Sequence, residues 1–200
     1  MVPNGSPTTT FGLLERIRRG DQDAFSILFE KYRTRLAVLI HYKLGDRLRV
    51  DAGVEDVVQE VFLAASRDLN AFVYRQPGSF MSWLARIAEN TVRDLARYQD
   101  RKKRDFGERV SLASPSNPLG FEPRVSQTPS RVLAVREELQ RVLERLDDLP
   151  DDYRRVVLMA RIECLPTADI AVRLGKTREA VAVLLYRAIQ SLKKAGSETK

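Results

Sequence analysis

One cysteine and one histidine are all that 200 residues contain of those types, and their scarcity removes whole classes of chemistry. A lone Cys164 permits no internal disulfide and fits a reducing, cytoplasmic setting. Cys164 and His41 together are too few for a zinc cluster, so neither a metal nor another cofactor is expected. Cys164 stands in the apolar stretch VVLMARIECL and is expected to be a buried thiol. His41 follows the apolar run LAVLI and is expected on a helix surface or half-buried, not in catalysis. There is no phosphate-cradling glycine loop and no nucleophile–histidine pair, so a nuclease or other nucleic-acid enzyme has no visible machinery. No enzymatic activity is expected. Long apolar runs are missing too. Stretches such as AVAVLLY around Val183 fall far short of the ~20 residues that span a bilayer. The opening MVPNGSPTTT has no basic patch and no apolar segment. It reads as a frayed, disordered tail over residues 1–10, not as a secretory signal.

Basic residues outnumber acidic ones, 34 to 27, for a net charge of +7. A polyanionic partner follows, although composition alone does not choose among DNA, RNA and a membrane surface. Helical periodicity occupies residues 11–104 and returns over 130–195. Between them, 105–129 carries Ser111, Ser114, Pro115, Ser116, Asn117, Pro118, Gly120, Pro123, Ser126 and Pro129, too many breakers for a regular element. No strand and no repeat is evident. The expected fold is therefore all-α: two small helical domains joined by a flexible linker.

In the first half, a short helix with Leu13, Leu14 and Ile17 ends at Gly20, and Asp21 is placed to cap its successor. That successor has one apolar stripe: Phe25, Leu28, Phe29, Tyr32, Leu36, Leu39 and Ile40. A helix from about 53 to 68 buries Val54, Val57, Val58, Val61, Phe62, Ala65 and Leu69. Its other face holds Glu55, Asp56, Gln59 and Glu60. Like charges at i,i+4 cost a few tenths of a kcal/mol, so this is either a solvated face or a docking face for a basic protein partner. After a loop over 70–79 comes SFMSWLARIAENTVRDLARYQDRKKR. Phe80, Trp83, Leu84, Ile87, Thr91, Leu95 and Tyr98 are expected to face the core. Arg86, Arg93, Arg97, Arg101, Lys102, Lys103 and Arg104 stand against Glu89, Asp94 and Asp100. A basic helix of this kind suits nucleic-acid backbone contact, or is simply a solvated helix end.

In the second half, Val135, Leu139, Val142, Leu143 and Leu146 mark an amphipathic helix, and Pro150 suits the first turn of the next. Its apolar positions are Val156, Val157, Leu158, Met159 and Ile162. A short helix over 167–174 then buries Ile170, Ala171 and Leu174. Gly175 can turn the chain in the left-handed conformation, and Thr177 can cap a last helix that buries Val181, Leu184, Leu185, Ala188 and Leu192. That is the plan of a helix-turn-helix, whose second helix enters the major groove by its N-terminal end; a helical hairpin for protein contact is the competing reading. Arg178, Glu179, Ala182, Val183 and Tyr186 would face outward there. Arg178 suits guanine or a phosphate, and Glu179 a cytosine amino group. Arg187, Lys193 and Lys194 suit phosphates.

Together these segments resemble the extracytoplasmic-function (ECF) group of the sigma-70 family. VEDVVQEVFLAA is similar to the family's region-two signature, usually close to AEDLVQETFL. The segment SFMSWLARIAENTVRDLARYQDRKKR resembles its promoter-melting and minus-ten helix, with Trp83, Leu84, Ile87, Ala88, Asn90, Asp94 and Arg97 in matching places. The stretch from LERLDDLPDDYRR to YRAIQSL resembles region four, through Leu149-Pro150, Arg154, Leu165, Ile170-Ala171, Leu174-Gly175 and Arg187-Ala188. The resemblance implies a promoter-recognition subunit of RNA polymerase, with region two over 11–104 and region four over 130–195. It implies core-polymerase docking through Glu55, Asp56, Gln59 and Glu60, on the beta-prime clamp, with the beta flap as a further polymerase contact. It implies minus-ten binding by Arg75, Ser79, Arg86, Asn90, Arg93, Arg97 and Arg101, and capture of a flipped base by the loop over 73–79. Minus-thirty-five binding falls to Lys176, Thr177, Arg178, Glu179, Ala182 and Arg187. An anti-sigma factor is a common partner in the family. Two departures stand out. The recognition helix usually reads like TVKSRLxRAR, whereas here Ala182, Leu184 and Ile189 replace commonly basic positions, which implies weaker or altered minus-thirty-five preference. The loop RQPGS also differs from the usual short form. The rival from another class is an autonomous helix-turn-helix regulator that binds duplex DNA as a dimer without polymerase.

Overall fold

A computed structural model describes residues 8–49, 52–104 and 129–197, and every regular element among them is helical. They fall into two compact units, Met1–Ser126 and Gln127–Lys200. The residues expected as tail and linker lie almost wholly outside the described ones. Two expected edges move by one residue: Thr10 begins the first helix and Pro129 the fifth, and proline suits a first helical position because its missing N–H has no helical partner to lose.

The first unit contains α1 (Thr10–Arg18), α2 (Gln22–Arg49), α3 (Val54–Asp68), a 3-10 turn (Leu69–Ala71) and α4 (Ser79–Arg104). The α1–α2 corner is set by its termini. Gly20 adopts φ +89°, its N–H bonds the Ile17 carbonyl at 2.9 Å, and the Asp21 N–H bonds the Arg16 carbonyl at 3.1 Å. This crossed pair satisfies the last carbonyls of α1. Asp21 then accepts from the Ala24 N–H at 3.0 Å and pairs with Arg16 at 2.8 Å. The Ala24 amide first, and Arg16 second, hold its carboxyl below the ordinary 3.8. The cap's contribution is therefore complete above that value and is lost as pH falls through the lowered one. Within α2, Gly45 at φ 61° breaks the helix, which resumes as a short last turn to Arg49.

Leu13, Leu14, Phe25, Leu28, Leu36, Ile40, Val58 and Val61 form the centre of the first core. Phe29 meets Phe62 at 3.7 Å between ring centroids and links α2 to α3. On α4 the buried edge is Met81, Leu84, Ala85, Ala88 and Val92. That is not the stripe expected from residue size. Ile87, Thr91, Leu95 and Tyr98 are only half-buried, so the helix is rotated by roughly a quarter turn from the expectation, at 3.6 residues per turn. The reason is closeness: α4 packs on both α2 and α3, and alanines let the backbones approach where larger side chains would hold them apart. Trp83 is likewise half-buried, stacked on Phe72 at 4.9 Å.

The second unit contains α5 (Pro129–Asp147), α6 (Asp151–Val157) continued by a π turn (Leu158–Ile162), α7 (Thr167–Leu174) and α8 (Arg178–Ser197). Leu143, Leu146, Leu149, Val156, Val157, Ile170, Val181 and Ala188 are its buried core. Arg154 folds back over the α5–α6 corner, donating to the Leu149 carbonyl at 3.2 Å and to Asp151 at 2.8 Å. The α7–α8 corner repeats the solution of the α1–α2 corner. Gly175 is left-handed at φ 60°, its N–H bonds the Val172 carbonyl at 3.3 Å, and the Lys176 N–H bonds the Ala171 carbonyl at 3.0 Å. Thr177 then caps α8, accepting from Ala180 N–H at 3.2 Å.

The expected buried thiol is corrected. Cys164 is only partly buried, because the chain leaves the helix there: a π turn ends with the Glu163 N–H bonding the Leu158 carbonyl at 2.8 Å, and Cys164 itself turns at φ 58°. His41 is half-buried, as expected.

Trp83 is the chain's only tryptophan, so its fluorescence follows the first unit alone. Ala88→Leu should overpack the α4 edge and lower the stability of that unit by about 1–3 kcal/mol, read as a shift in the Trp83 urea transition. An unchanged midpoint would mean that the alanine edge is not a close contact.

Candidate polymerase and promoter interfaces

The acidic residues of α3 start at its N-terminal turn, where the helix dipole favours negative charge. Glu55 does not share the exposure of its neighbours. Its carboxylate receives Arg33 from α2 at 2.8 Å, with Arg33 12% and Glu55 29% exposed. Arg33 also reaches Glu30 at 3.7 Å. Glu55 is thus spent on holding α3 to α2, while Asp56, Gln59 and Glu60 are exposed on one face. At Gly53 a Cβ would stand 2.8 Å from Asp56 Oδ2, so a larger residue there would turn that exposed carboxylate aside.

Between α3 and α4 the 3-10 turn delivers Phe72 into the core, 7% exposed. Its ring meets Phe80 at 5.4 Å. Beyond it Val73, Arg75, Gln76 and Pro77 are exposed. Ser79, expected at DNA, is half-buried and closes this loop: its hydroxyl donates to the Gln76 carbonyl at 2.7 Å and accepts from the Arg75 N–H at 3.4 Å.

Arg86, Asn90, Arg93, Arg97 and Arg101 are all exposed. Their spacing of four, three, four and four gathers them into one stripe about 80° wide, roughly opposite the buried alanine edge. The arginines are held loosely. Arg93 meets Glu89 at 3.4 Å and Arg97 meets Asp94 at 3.7 Å, all four side chains being substantially exposed. Pairs of that kind contribute about 0–1 kcal/mol, so a phosphate can replace either carboxylate at little cost. Arg93 also donates to Asn90 Oδ1 at 3.5 Å.

In the second unit Lys176, Thr177, Arg178, Glu179, Ala182 and Arg187 are all exposed around the first turns of α8. Val183 and Tyr186 stand out from the same face, 50% and 65% exposed. At 3.6 residues per turn, Ala182, Val183 and Tyr186 make an apolar centre, with Arg178 and Arg187 about 180° apart along its two edges. The carboxyl of Glu179 is held below its ordinary 4.5, first by its own amide and then by the Thr177 hydroxyl. Glu179 stands exposed in the first turn of α8. Behind this face, buried Glu163 is paired with Arg173 of α7 at 3.5 Å.

Residues 28–102 match the family model of sigma-70 region 2, and residues 139–192 that of sigma-70 region 4. The ECF RNA polymerase sigma-E factor of Haemophilus influenzae is 31% identical over 164 residues, 82% of each chain. That of Escherichia coli K12 is 29% identical over 180 residues, 90% of each chain. The chain belongs to the ECF sigma factors of the sigma-70 family. A solved structure of CnrH in complex with the cytosolic domain of CnrY is also similar, at 25% identity and a TM-score of 0.43, covering 94% of this chain and 97% of that one. As an ECF sigma factor the protein directs transcription initiation as a non-catalytic subunit of RNA polymerase. The autonomous-regulator reading leaves the region 2 match unexplained and is set aside. Among the described residues no helix is long and apolar enough to cross a membrane.

Arg33 went unnoticed in the sequence because its partner lies 22 residues away on another helix. In this sigma factor a double-mutant cycle on Arg33 and Glu55 should give a coupling of about 1 kcal/mol in the Trp83 unfolding transition. A coupling near zero would return Glu55 to the exposed acidic face.

Proposed function

We propose that the two exposed faces of the first unit divide the work of initiation. Asp56, Gln59 and Glu60 dock on the clamp helices of the beta-prime subunit, with Glu55 acting chiefly as the internal tie that orients them. Arg86, Asn90, Arg93, Arg97 and Arg101 hold the minus-ten element, and the loop over 73–79 captures a base flipped from the non-template strand, with Arg75 at its exposed tip. Unpairing costs a few kcal/mol, which a base pocket and backbone contacts together can offset. The observation that carries this reading is the opposite sign of the exposed faces of α3 and α4 within one small helical unit. An acidic face suits a basic protein surface, and a basic stripe suits phosphates.

The second unit, in this reading, holds the minus-thirty-five element as duplex. Lys176, Arg178 and Arg187 grip phosphates on either side. Thr177 and Glu179 fix the helix end, and Ala182, Val183 and Tyr186 press on base edges, where an apolar side chain favours the thymine methyl. The same unit meets the beta flap. Residues 11–104 and 130–195 act as region two and region four, and 105–129 tethers them. A tether of about 25 residues raises the effective concentration of each DNA contact for the other, provided it spans both sites. The protein works in the cytoplasm, where the polymerase and promoters are, and an anti-sigma factor is a fitting regulator of exposed faces of this kind.

In vitro transcription with core polymerase and genomic fragments, followed by mapping of start sites, tests the whole reading. Charge reversal by Asp56→Lys with Glu60→Lys should weaken core binding about ten- to a hundredfold while leaving the Trp83 unfolding transition in place. Unchanged affinity for core would remove the docking assignment. Asn90→Ala should slow promoter opening several-fold with core affinity intact, measured by permanganate reactivity beside a core pull-down. Equal loss in both assays would make Asn90 structural.

A further inference from the structure

The loop over 73–79 is held at Tyr74 and at its two flanks, Phe72 and Phe80, by contacts that lead to α1, the last of them through Tyr32 of α2. Arg18, near the end of α1, donates from Nη2 to the Phe72 carbonyl at 2.8 Å, across 54 residues of sequence. Its other guanidinium nitrogen is fixed by Glu15 at 2.8 Å, so the fork is aimed before it meets the loop. Phe11 packs its ring against Tyr74 at 5.7 Å. Thr10 is hydrogen-bonded to the Tyr32 hydroxyl at 2.8 Å, a buried contact, and the Tyr32 ring lies 4.9 Å from that of Phe80 at the start of α4. Tyr74 and the two flanks of the loop therefore rest, directly or through Tyr32, on a nine-residue helix that lies outside the matched region 2 span of 28–102. What stays open is the tip, with Val73 65% exposed and Arg75, Gln76 and Pro77 exposed.

We infer that α1 is a brace for this loop, and that Arg18 and Phe11 are positioning residues for base capture. The inference rests on the reading of 73–79 as the capturing loop. Its physical content is preorganisation. Fixing a loop residue carries an entropic penalty, and a loop ordered only on meeting its ligand subtracts that penalty from binding. Here the penalty is met when the first unit folds. A charge-assisted bond to a backbone carbonyl suits the task, because it holds the main chain and leaves the side chains of the loop facing outward.

The test is a coupling measurement on holoenzyme reconstituted from core polymerase with the wild-type chain, Arg18→Ala, Arg18→Lys or Phe11→Leu. The template is a mapped promoter carrying single abasic sites through the non-template strand of its minus-ten element. The wild type should lose opening sharply at the captured position. On the intact promoter Arg18→Ala should open about tenfold less well, with core affinity within about twofold of wild type. At the captured abasic position the two should converge, because there is no base left to position. Arg18→Lys should recover part of the loss. An Arg18→Ala defect that persists undiminished at every abasic site overturns the brace and leaves base capture standing. A wild type indifferent to every abasic site overturns base capture itself, and the brace with it. Should Trp83 fluorescence show Arg18→Ala unfolded, Phe11→Leu carries the same cycle with the ring contact in place of the hydrogen bond.

Discussion

Met81, Leu84, Ala85, Ala88 and Val92 seat α4 against α2 and α3, and a helix seated on one buried edge is fixed in rotation. Turning it by one residue would carry a guanidinium toward the interior, where an unpaired charge costs several kcal/mol. It would also take a methyl edge out to water. Because the basic stripe lies almost diametrically across from the alanines, the packing that stabilises the first unit is also what aims Arg86, Arg93, Arg97 and Arg101 at the solvent. Core and binding surface are two sides of one helix, and neither can drift without the other.

Polar contacts then do the finer placing. Arg33 takes Glu55 out of the acidic face and uses it to lock α3 onto α2, leaving a smaller patch with a defined bearing. Both helical corners, at Gly20 and at Gly175, use the same device of a left-handed glycine with crossed backbone bonds followed by a side-chain cap. One corner lies within the first unit and the other between α7 and α8 of the second. In each case the angle of departure is set by backbone bonding, so the side chains of the following helix remain available for recognition.

Much of this was legible from local pattern. The stripe of α3, the limits of α7, the glycine corners and the two capping residues all follow from spacing and residue type within a few positions. The exposed faces did too, because charge at helical spacing declares its own side. What local pattern could not give was anything decided between distant segments. The rotation of α4 depends on how closely two other helices approach, which size ranking of its own residues misjudged in favour of Ile87, Leu95 and Tyr98. Ser79, expected at the minus-ten element, also bonds within its own loop, to Gln76 and Arg75. Arg18 and Arg33 sit among many surface arginines, and nothing near them in the chain marks their partners 54 and 22 residues away. The π turn that precedes Cys164 has no compositional signal at all.

For the DNA contacts proposed on α4 and α8, the apolar centre of α8 bears on the response to ionic strength. Affinity won by displacing counterions from phosphates decays steeply as salt rises, whereas affinity won by covering methyl groups does not. A stripe of four arginines on α4 and a recognition helix centred on Ala182, Val183 and Tyr186 therefore sit at different points on that scale. In the proposed reading, the part of the upstream contact that this apolar centre supplies is the part that rising salt leaves in place.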